Sequence, residues 1–283
     1  MQFEQLEAFL AVVQTKNFTK ASEILHVTQS TITNRIKVLE EHLGVLLFSR
    51  NNRHVDITLA GENFKQYAYR LVELKLESEK GIRIDGKFDS FLTIGSTHFL
   101  WEYILPPAVD EFRRDHPKTA LRMYTAHSIQ VIQKMLDGIV DISVTFIEPN
   151  HNEIEVIPFF RNELVLVGSP SIINEENLKI EQFDSYTYLH MDWGELFNKW
   201  FIKVFGNQHP ALQIDHASMF IKYLLKGEGI GFLSKSIARP LIQENKLKII
   251  DLEVYGEIPA QQIYILFPKR KREQLETLLN YLL

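Results

Sequence analysis

Residues 17–44 read NFTKASEILHVTQSTITNRIKVLEEHLG, a stretch that places two helices one after the other on a very short connection. Asn17 stands where an N-cap belongs, so a helix runs from Phe18 to about Leu25 and buries Ala21, Ile24 and Leu25. His26–Val27 is a tight connection. Thr28 caps the next helix, about Gln29 to Leu43, and Gly44 ends it as a residue free to turn left-handed. At 100° per residue, Ile32, Ile36, Leu39 and Leu43 fall within about 60° of one another. The opposite face carries Ser30, Asn34 and Lys37, flanked by Thr33 and Arg35, and the acids Glu40 and Glu41 come only at the far end. Upstream, Leu6, Phe9, Leu10 and Val13 form a third helical stripe at i, i+3, i+4 and i+7. A helix that enters a major groove N-terminus first needs this layout. Short polar groups meet base edges, cations meet phosphate or guanine, and acids stay back.

Outward from this core, residues 45–61 read VLLFSRNNRHVDITLAG. Val45–Phe48 and Val55–Leu59 are expected as two short strands around a basic turn from Ser49 to His54. Arg50 and Arg53 on that turn are placed to reach a minor groove or flanking phosphates. Geometry alone fits equally well a three-helix unit with a surface hairpin that binds nothing.

The order and spacing of particular residues go further: Phe9, Phe18-Thr19-Lys20-Ala21-Ser22, Leu25, Val27-Thr28-Gln29, Arg35-Ile36, Leu39-Glu40, Leu43-Gly44, Leu47-Phe48, Arg50, Leu59 and Ala60-Gly61. This pattern resembles the N-terminal winged helix-turn-helix of LysR-type transcriptional regulators. The family often has Pro where this chain has Ser30. The resemblance implies a recognition helix that presents Gln29, Ser30, Thr31, Thr33, Asn34, Arg35 and Lys37 to DNA, with Arg50 and Arg53 on the wing. Asn34 and Lys37 are expected at bases, and Thr31 and Arg35 at phosphate or base.

From Ala60 onward, Ala60, Phe64, Tyr67, Leu71, Leu74 and Ser78 follow alternating steps of four and three, a heptad seam. A seam this regular on a solitary helix predicts pairing with its copy through Phe64, Tyr67, Leu71 and Leu74. The alternative is packing on its own winged domain. The resemblance favours pairing, and implies tetramers and bent promoter DNA. Two recognition helices about a two-fold axis predict a near-palindromic site with half-sites about one helical turn, or a multiple of it, apart.

After residue 88 strands alternate with helices: strands at FLTIGS, ALRMYTA, DISVTF, ELVLVGS, YTYLHM, ALQID, GIGFLS and QQIYILF, and helices from Leu100 to about Arg114, at Ser128–Asp137, Glu195–Phe205, Ala217–Lys226, Lys235–Glu244 and Lys271–Leu282. Asp137-Gly138, Asp141-Ile142-Ser143 and the run Gly227 to Leu233 match the family more loosely, and the family often has Pro where Ser234 stands. The resemblance implies a periplasmic-binding-protein-like effector domain. The expected fold is α+β multidomain: a winged helix-turn-helix over 1–59, a linker helix and hinge over 60–87, and an effector domain over 88–283. Within it, subdomain I takes 88–161 and 266–283, and subdomain II takes 162–265.

Ligands of such sheets meet the carboxyl ends of strands and the helix starts that follow. That rule selects Ser96, Thr97, His98, Ser128, Thr145 and Phe146, and in the second subdomain His190, Met191, Asp192 and Trp193. Free N–H groups at two helix starts favour an anion, hence a small organic acid or amino acid as effector. Each hydroxyl taken alone is more often a helix cap, and Trp101 is better read as core.

Composition bounds the rest. At roughly 150 residues per domain, 283 residues imply about two domains. The absence of cysteine excludes disulfides, thiolate metal sites and cysteine nucleophiles. Net charge is −5, but residues 1–90 balance twelve basic against twelve acidic residues, so the deficit sits entirely in residues 91–283. The start, MQFEQLEAFL, does not read as a secretory signal and no apolar run reaches about 18 residues, so a cytoplasmic protein without membrane contact is expected. No HExxH, GxSxG or P-loop pattern occurs, and Gly227-Glu228-Gly229-Ile230-Gly231 reads as a turn before a strand rather than a phosphate cradle. The histidines at 98, 127, 190, 209 and 216 show no paired-ligand spacing, so neither metal nor catalytic residues are expected. Expected partners are double-stranded promoter DNA, copies of the chain in a dimer or tetramer, and RNA polymerase. A rival reading is an α/β solute-binding or catalytic protein with a helical N-terminal module.

Overall fold

A computed structural model of the chain describes residues 1–51, 54–82, 87–173, 177–206, 208–253 and 256–283, with the side chains of 50, 51, 54, 77 and 80–82 outside that description. The chain divides into two units, Met1–Asp89 and Ser90–Leu283.

The first unit contains α1 (Phe3–Thr15), α2 (Phe18–Ile24), α3 (Gln29–Leu43), β1 (Phe48–Asn51), β2 (His54–Ile57) and α4 (Leu59–Ile82). The caps act as their sequence suggests. Asn17 Oδ1 accepts from the N–H groups of Thr19 and Lys20 at 2.8 and 3.0 Å, and Thr28 Oγ1 accepts from Thr31 N–H at 3.2 Å. Gly44 ends α3 at φ 71°, where any other residue is strained. Phe9, Ala21, Ile32, Ile36 and Leu39 are fully buried, and Phe9 meets Phe48 and Phe64 at ring distances of 5.4 and 5.3 Å.

The hairpin begins at Phe48, three residues later than the sequence suggests, because Val45 and Leu46 lie exposed and outside the ladder. Side chains hold that segment instead. Glu40 is buried, and its Oε1 accepts from the N–H groups of Leu47 and Phe48 at 2.8 and 3.1 Å. Thr58 Oγ1 donates to Leu46 O at 2.8 Å and accepts from Gly61 N–H at 3.0 Å, which starts α4. A Cβ on Gly61 would stand 2.3 Å from Leu47 O, so only glycine lets α4 lie this close to the wing.

The second unit begins with β3 (Ser90–Ser96), α5 (His98–Tyr103), α6 (Pro106–Asp115), β4 (Thr119–Thr125), α7 (Ser128–Leu136), β5 (Ile142–Thr145) and β6 (Ile154–Asn162). It continues through β7 (Leu164–Gly168), β8 (Asn177–Lys179), β9 (Leu189–His190), α8 (Glu195–Phe205), β10 (Leu212–Gln213), α9 (Ala217–Leu225), β11 (Ile230–Ser234) and α10 (Lys235–Gln243). Last come β12 (Lys248–Ile249), β13 (Asp251–Glu253), β14 (Gln261–Pro268) and α11 (Arg272–Leu282). One sheet has the order β4-β3-β5-β14-β6, with β3 parallel to β4 and β5, and β14 antiparallel to β5 and β6. The other lobe is built on the antiparallel set β11-β7-β12, against which α9 and α10 pack.

Three expectations need correction. The helix expected from Leu100 to about Arg114 is two helices, α5 and α6, because Pro106 and Pro107 cannot continue the hydrogen-bond ladder of α5. No strand is expected between residues 146 and 163, yet β6 occupies nine residues there. Pro158 obscured it. β6 is an edge strand, and the register with β14 slips beside Pro158, where a missing N–H costs least. Finally, β14 is continuous from Gln261 to Pro268 in the first sheet, so a subdomain boundary at 266 would cut it; the chain returns to the first lobe by residue 261. Asp141 then fastens this lobe. It accepts from Thr93 N–H at 2.7 Å and pairs with Lys271 ahead of α11.

Candidate functional site

On α3 the packing settles which side chains face outward. Ile32, Ile36 and Leu39 are consumed by the core, which leaves Gln29, Ser30, Asn34 and Lys37 exposed and Thr31, Thr33 and Arg35 half-buried at the rim. Ser30 and Thr31 hydroxyls both lie 2.8 Å from Thr28 Oγ1, a cluster at the helix start. Thr33 Oγ1 donates back to Gln29 O at 3.0 Å, so its methyl is the part free to meet a partner. Lys37 Nζ lies 3.7 Å from Glu41, with both side chains well over half exposed. Such a pair is worth little in water and yields easily to a phosphate. Glu40, read from sequence only as an acid held back, is instead the anchor of the wing. Arg53 lies outside the described residues, as does the side chain of Arg50.

The seam expected on α4 divides. Phe64 and Leu71 are half-buried in the core of their own unit, together with the fully buried Ala68. Lys75 continues that stripe, 3.6 Å from Glu7 and over the ring of Phe3. Tyr67 and Leu74 remain exposed, at 54% and 43%. The physical reason is period. A 3.6-residue stripe serves α1, and only the residues one step to its side are left over.

In the second unit most predicted ligand contacts are already committed to the fold. Ser96 is fully buried and donates to Val144 O at 2.7 Å, and Thr145, also buried, donates to Ile147 O at 3.0 Å. Ser128 lies one position inside α7, whose N-cap is His127, and its hydroxyl accepts from Phe146 N–H at 3.4 Å. Phe146 is half-buried, 5.8 Å from the ring of Phe99. Asp192 is exposed, yet its Oδ1 accepts from Gly194 N–H and Asn198 Nδ2, both at 2.8 Å, and so braces the start of α8. Trp193, selected as a ligand contact, belongs to the core. It is 3% exposed, donates Nε1–H to Phe232 O at 2.9 Å and stands edge-on to Phe99. Trp101, read as core, is buried and donates to Tyr124 O at 3.1 Å. His190 shares Nδ1 with the Tyr188 hydroxyl at 2.9 Å, and burial pulls its pKa below the ordinary histidine value against the opposing pull of Asp192.

Two groups stand apart. Thr97 Oγ1 is buried with no hydrogen-bond partner among the described residues, at a helix start where it makes no cap bond. Its neighbour His98 is exposed and lies 4.3 Å, ring to ring, from His216 at the N-cap of α9. Sequence spacing gave no sign of this pair, because 118 positions separate the two residues and only tertiary packing joins them.

Residues 88–283 match the family described as LysR substrate binding domain, and residues 3–62 match the bacterial regulatory helix-turn-helix protein, lysR family. The chain is 34% identical over 179 residues to the HTH-type transcriptional regulator YofA of Bacillus subtilis (strain 168), a match covering 63% of each chain and so under two thirds of YofA. It is 26% identical over 290 residues to the Hca operon transcriptional activator HcaR of Escherichia coli (strain K12), across 100% of this chain and 96% of that one. Among solved structures it resembles the LysR family regulator CbnR, with TM-score 0.72 and 22% identity over 100% of this chain and 98% of that one. Full-length CbnR in complex with its target DNA gives TM-score 0.74 at 21% identity, covering 100% and 99%. At these identities the structural likeness is one of fold.

Proposed function

The chain belongs to the LysR family of bacterial transcriptional regulators, and from that premise we propose that it binds promoter DNA sequence-specifically as a homo-oligomer whose affinity a small organic acid or amino acid controls. The observation that carries the DNA reading is the first half of α3, where Gln29, Ser30, Asn34 and Lys37 are exposed on a helix whose other face is fixed by Ile32, Ile36 and Leu39. Asn34 and Lys37 then reach base edges, Thr31 and Arg35 hold phosphate or base, and Arg50 and Arg53 add wing contacts. Tyr67 and Leu74, the exposed part of the α4 seam, supply the pairing surface. No helix among the described residues is long and apolar enough to cross a membrane, which suits a protein that meets its operator, and RNA polymerase, in the cytoplasm.

For the effector, the unpartnered hydroxyl of Thr97 supports a ligand that hydrogen-bonds there, beside His98. Ligand binding changes the balance between arrangements of the domain and hence of the oligomer, a population shift that requires no chemistry. Fragmented genomic DNA captured by the purified protein at about 150 mM salt, where much of the sequence-blind phosphate attraction is suppressed, tests the reading. A few sharp peaks over imperfect palindromes are expected. Uniform recovery, with the protein folded and oligomeric, would reject sequence-specific binding.

A further inference from the structure

We infer that His98, Glu102 and His216 form a binding site for a divalent transition-metal ion of the zinc class. The inference goes beyond the effector reading and stands without it. One donor atom from each of the three residues lies within 4.8 Å of the others. Ligand bonds of about 2.0–2.1 Å at tetrahedral angles separate donors by about 3.4 Å, so rotamer adjustments close the cluster onto an ion. One edge already has this length, since His98 Nδ1 lies 3.5 Å from Glu102 Oε2.

The donor set is chemically selective. Two imidazoles and one carboxylate suit zinc and its borderline neighbours, whereas calcium and magnesium prefer all-oxygen sites. His98 and Glu102 are four apart on α5 and therefore share one face of that helix. His216 arrives from the other lobe, as the N-cap of α9.

Second partners orient two of the ligands. The Ser218 hydroxyl lies 2.9 Å from His216 Nδ1, which leaves Nε2 as the ligating nitrogen. The Tyr103 hydroxyl hydrogen-bonds the Glu102 carboxylate. The side chains of His98 and Glu102 are 59% and 32% exposed, which gives an ion a path in. Three protein ligands leave a tetrahedral ion one position for water or an anion. Because α5 follows a strand of one sheet and α9 packs on a strand of the other, an ion here favours the arrangement in which the two helix starts are adjacent.

The test uses the full chain without an affinity tag, stripped with a chelator and titrated with Zn²⁺ in a calorimeter with no organic ligand present. Saturable binding at one ion per chain is expected, with a higher melting temperature for the effector unit. His98→Ala and His216→Ala should each abolish that step, Glu102→Gln should weaken it, and Ser218→Ala should weaken it at least about tenfold. His127→Ala and His209→Ala, on histidines outside the cluster, should leave it unchanged. Circular dichroism establishes that each variant is folded, and for any that is not, the glutamine substitution at that histidine replaces it. Wild-type protein with no saturable step, or a step that survives both His98→Ala and His216→Ala, would overturn the site. So would a step lost equally in the two control variants. Because no DNA or organic acid enters the titration, its failure leaves the operator and effector readings untouched.

Discussion

The first half of α3 and the strand ends of the effector unit were selected by the same logic, polar residues where a partner should arrive, yet the fold treats them differently. On α3 the selected side chains are exposed or lie half-buried at the rim, and their internal bonds include weak surface contacts such as the Lys37–Glu41 pair. At the strand ends Ser96, Thr145 and Trp193 have spent their donors on the backbone. A helix facing a large external polymer keeps its outer face uncommitted. A strand end, by contrast, is also where backbone carbonyls lose their ladder partners, so a hydroxyl there is drawn into the fold first.

The largest effect should come from Trp193. If it is core rather than ligand platform, Trp193→Ala removes a buried ring and a buried donor, and the effector unit should lose about 3–5 kcal/mol in a denaturant titration. Unchanged stability with weakened effector binding would restore it to the ligand list and break the contrast. Next comes Gly61→Ala. The added Cβ meets Leu47 O at 2.3 Å, so the winged unit should lose about 3 kcal/mol, the upper end of overpacking costs. Gly44→Ala meets nothing within 4 Å but keeps a positive φ, and should cost only about 1 kcal/mol. Equal losses would show that small shifts relieve the contact at Gly61, a helical position without a positive φ.

What could be read from sequence follows the range of the forces involved. Helix starts at Asn17 and Thr28 and the stop at Gly44 are local events, and they appear where their residues stand. The 3.6-residue stripe of α3 separates core from recognition face for the same reason. Phe64 and Leu71 are different: a heptad and a helical stripe share those positions, and only the presence of α1 assigns them to the unit's own core. Pro158 hid β6 because an edge strand tolerates what a central strand does not. Pro106-Pro107 end a helix by an equally local rule, yet the single helix expected from Leu100 to about Arg114 ran across them. The His98–His216 approach depends on two helix starts, those of α5 and α9, that only the complete fold brings together.

Smaller in energy but more direct is Lys37→Ala. Binding to the captured operator should weaken by about 1–3 kcal/mol with relaxed preference at one base position if Lys37 reads guanine. If it meets phosphate, the loss should be smaller, uniform across sequences, and accompanied by a shallower salt dependence. No change in either measurement would mean that exposure on α3 does not mark the interface.

The finest test lies in two adjacent residues. Ser96→Ala removes a donor that the fold uses, and although Val144 O loses its bond the cost should be only about 1 kcal/mol, visible as a lower melting temperature of the effector unit. Thr97→Val removes a hydroxyl that bonds to nothing among the described residues and replaces it with a methyl of similar size. A buried polar atom without a partner costs stability, so this variant should be as stable as the parent or slightly more so. If a ligand is what the hydroxyl awaits, DNA binding without effector should be unchanged while the response to effector falls. A Thr97→Val variant destabilised as much as Ser96→Ala would mean that its hydroxyl is held by the fold after all, and no position on the first strand end would then separate ligand contact from structural bond.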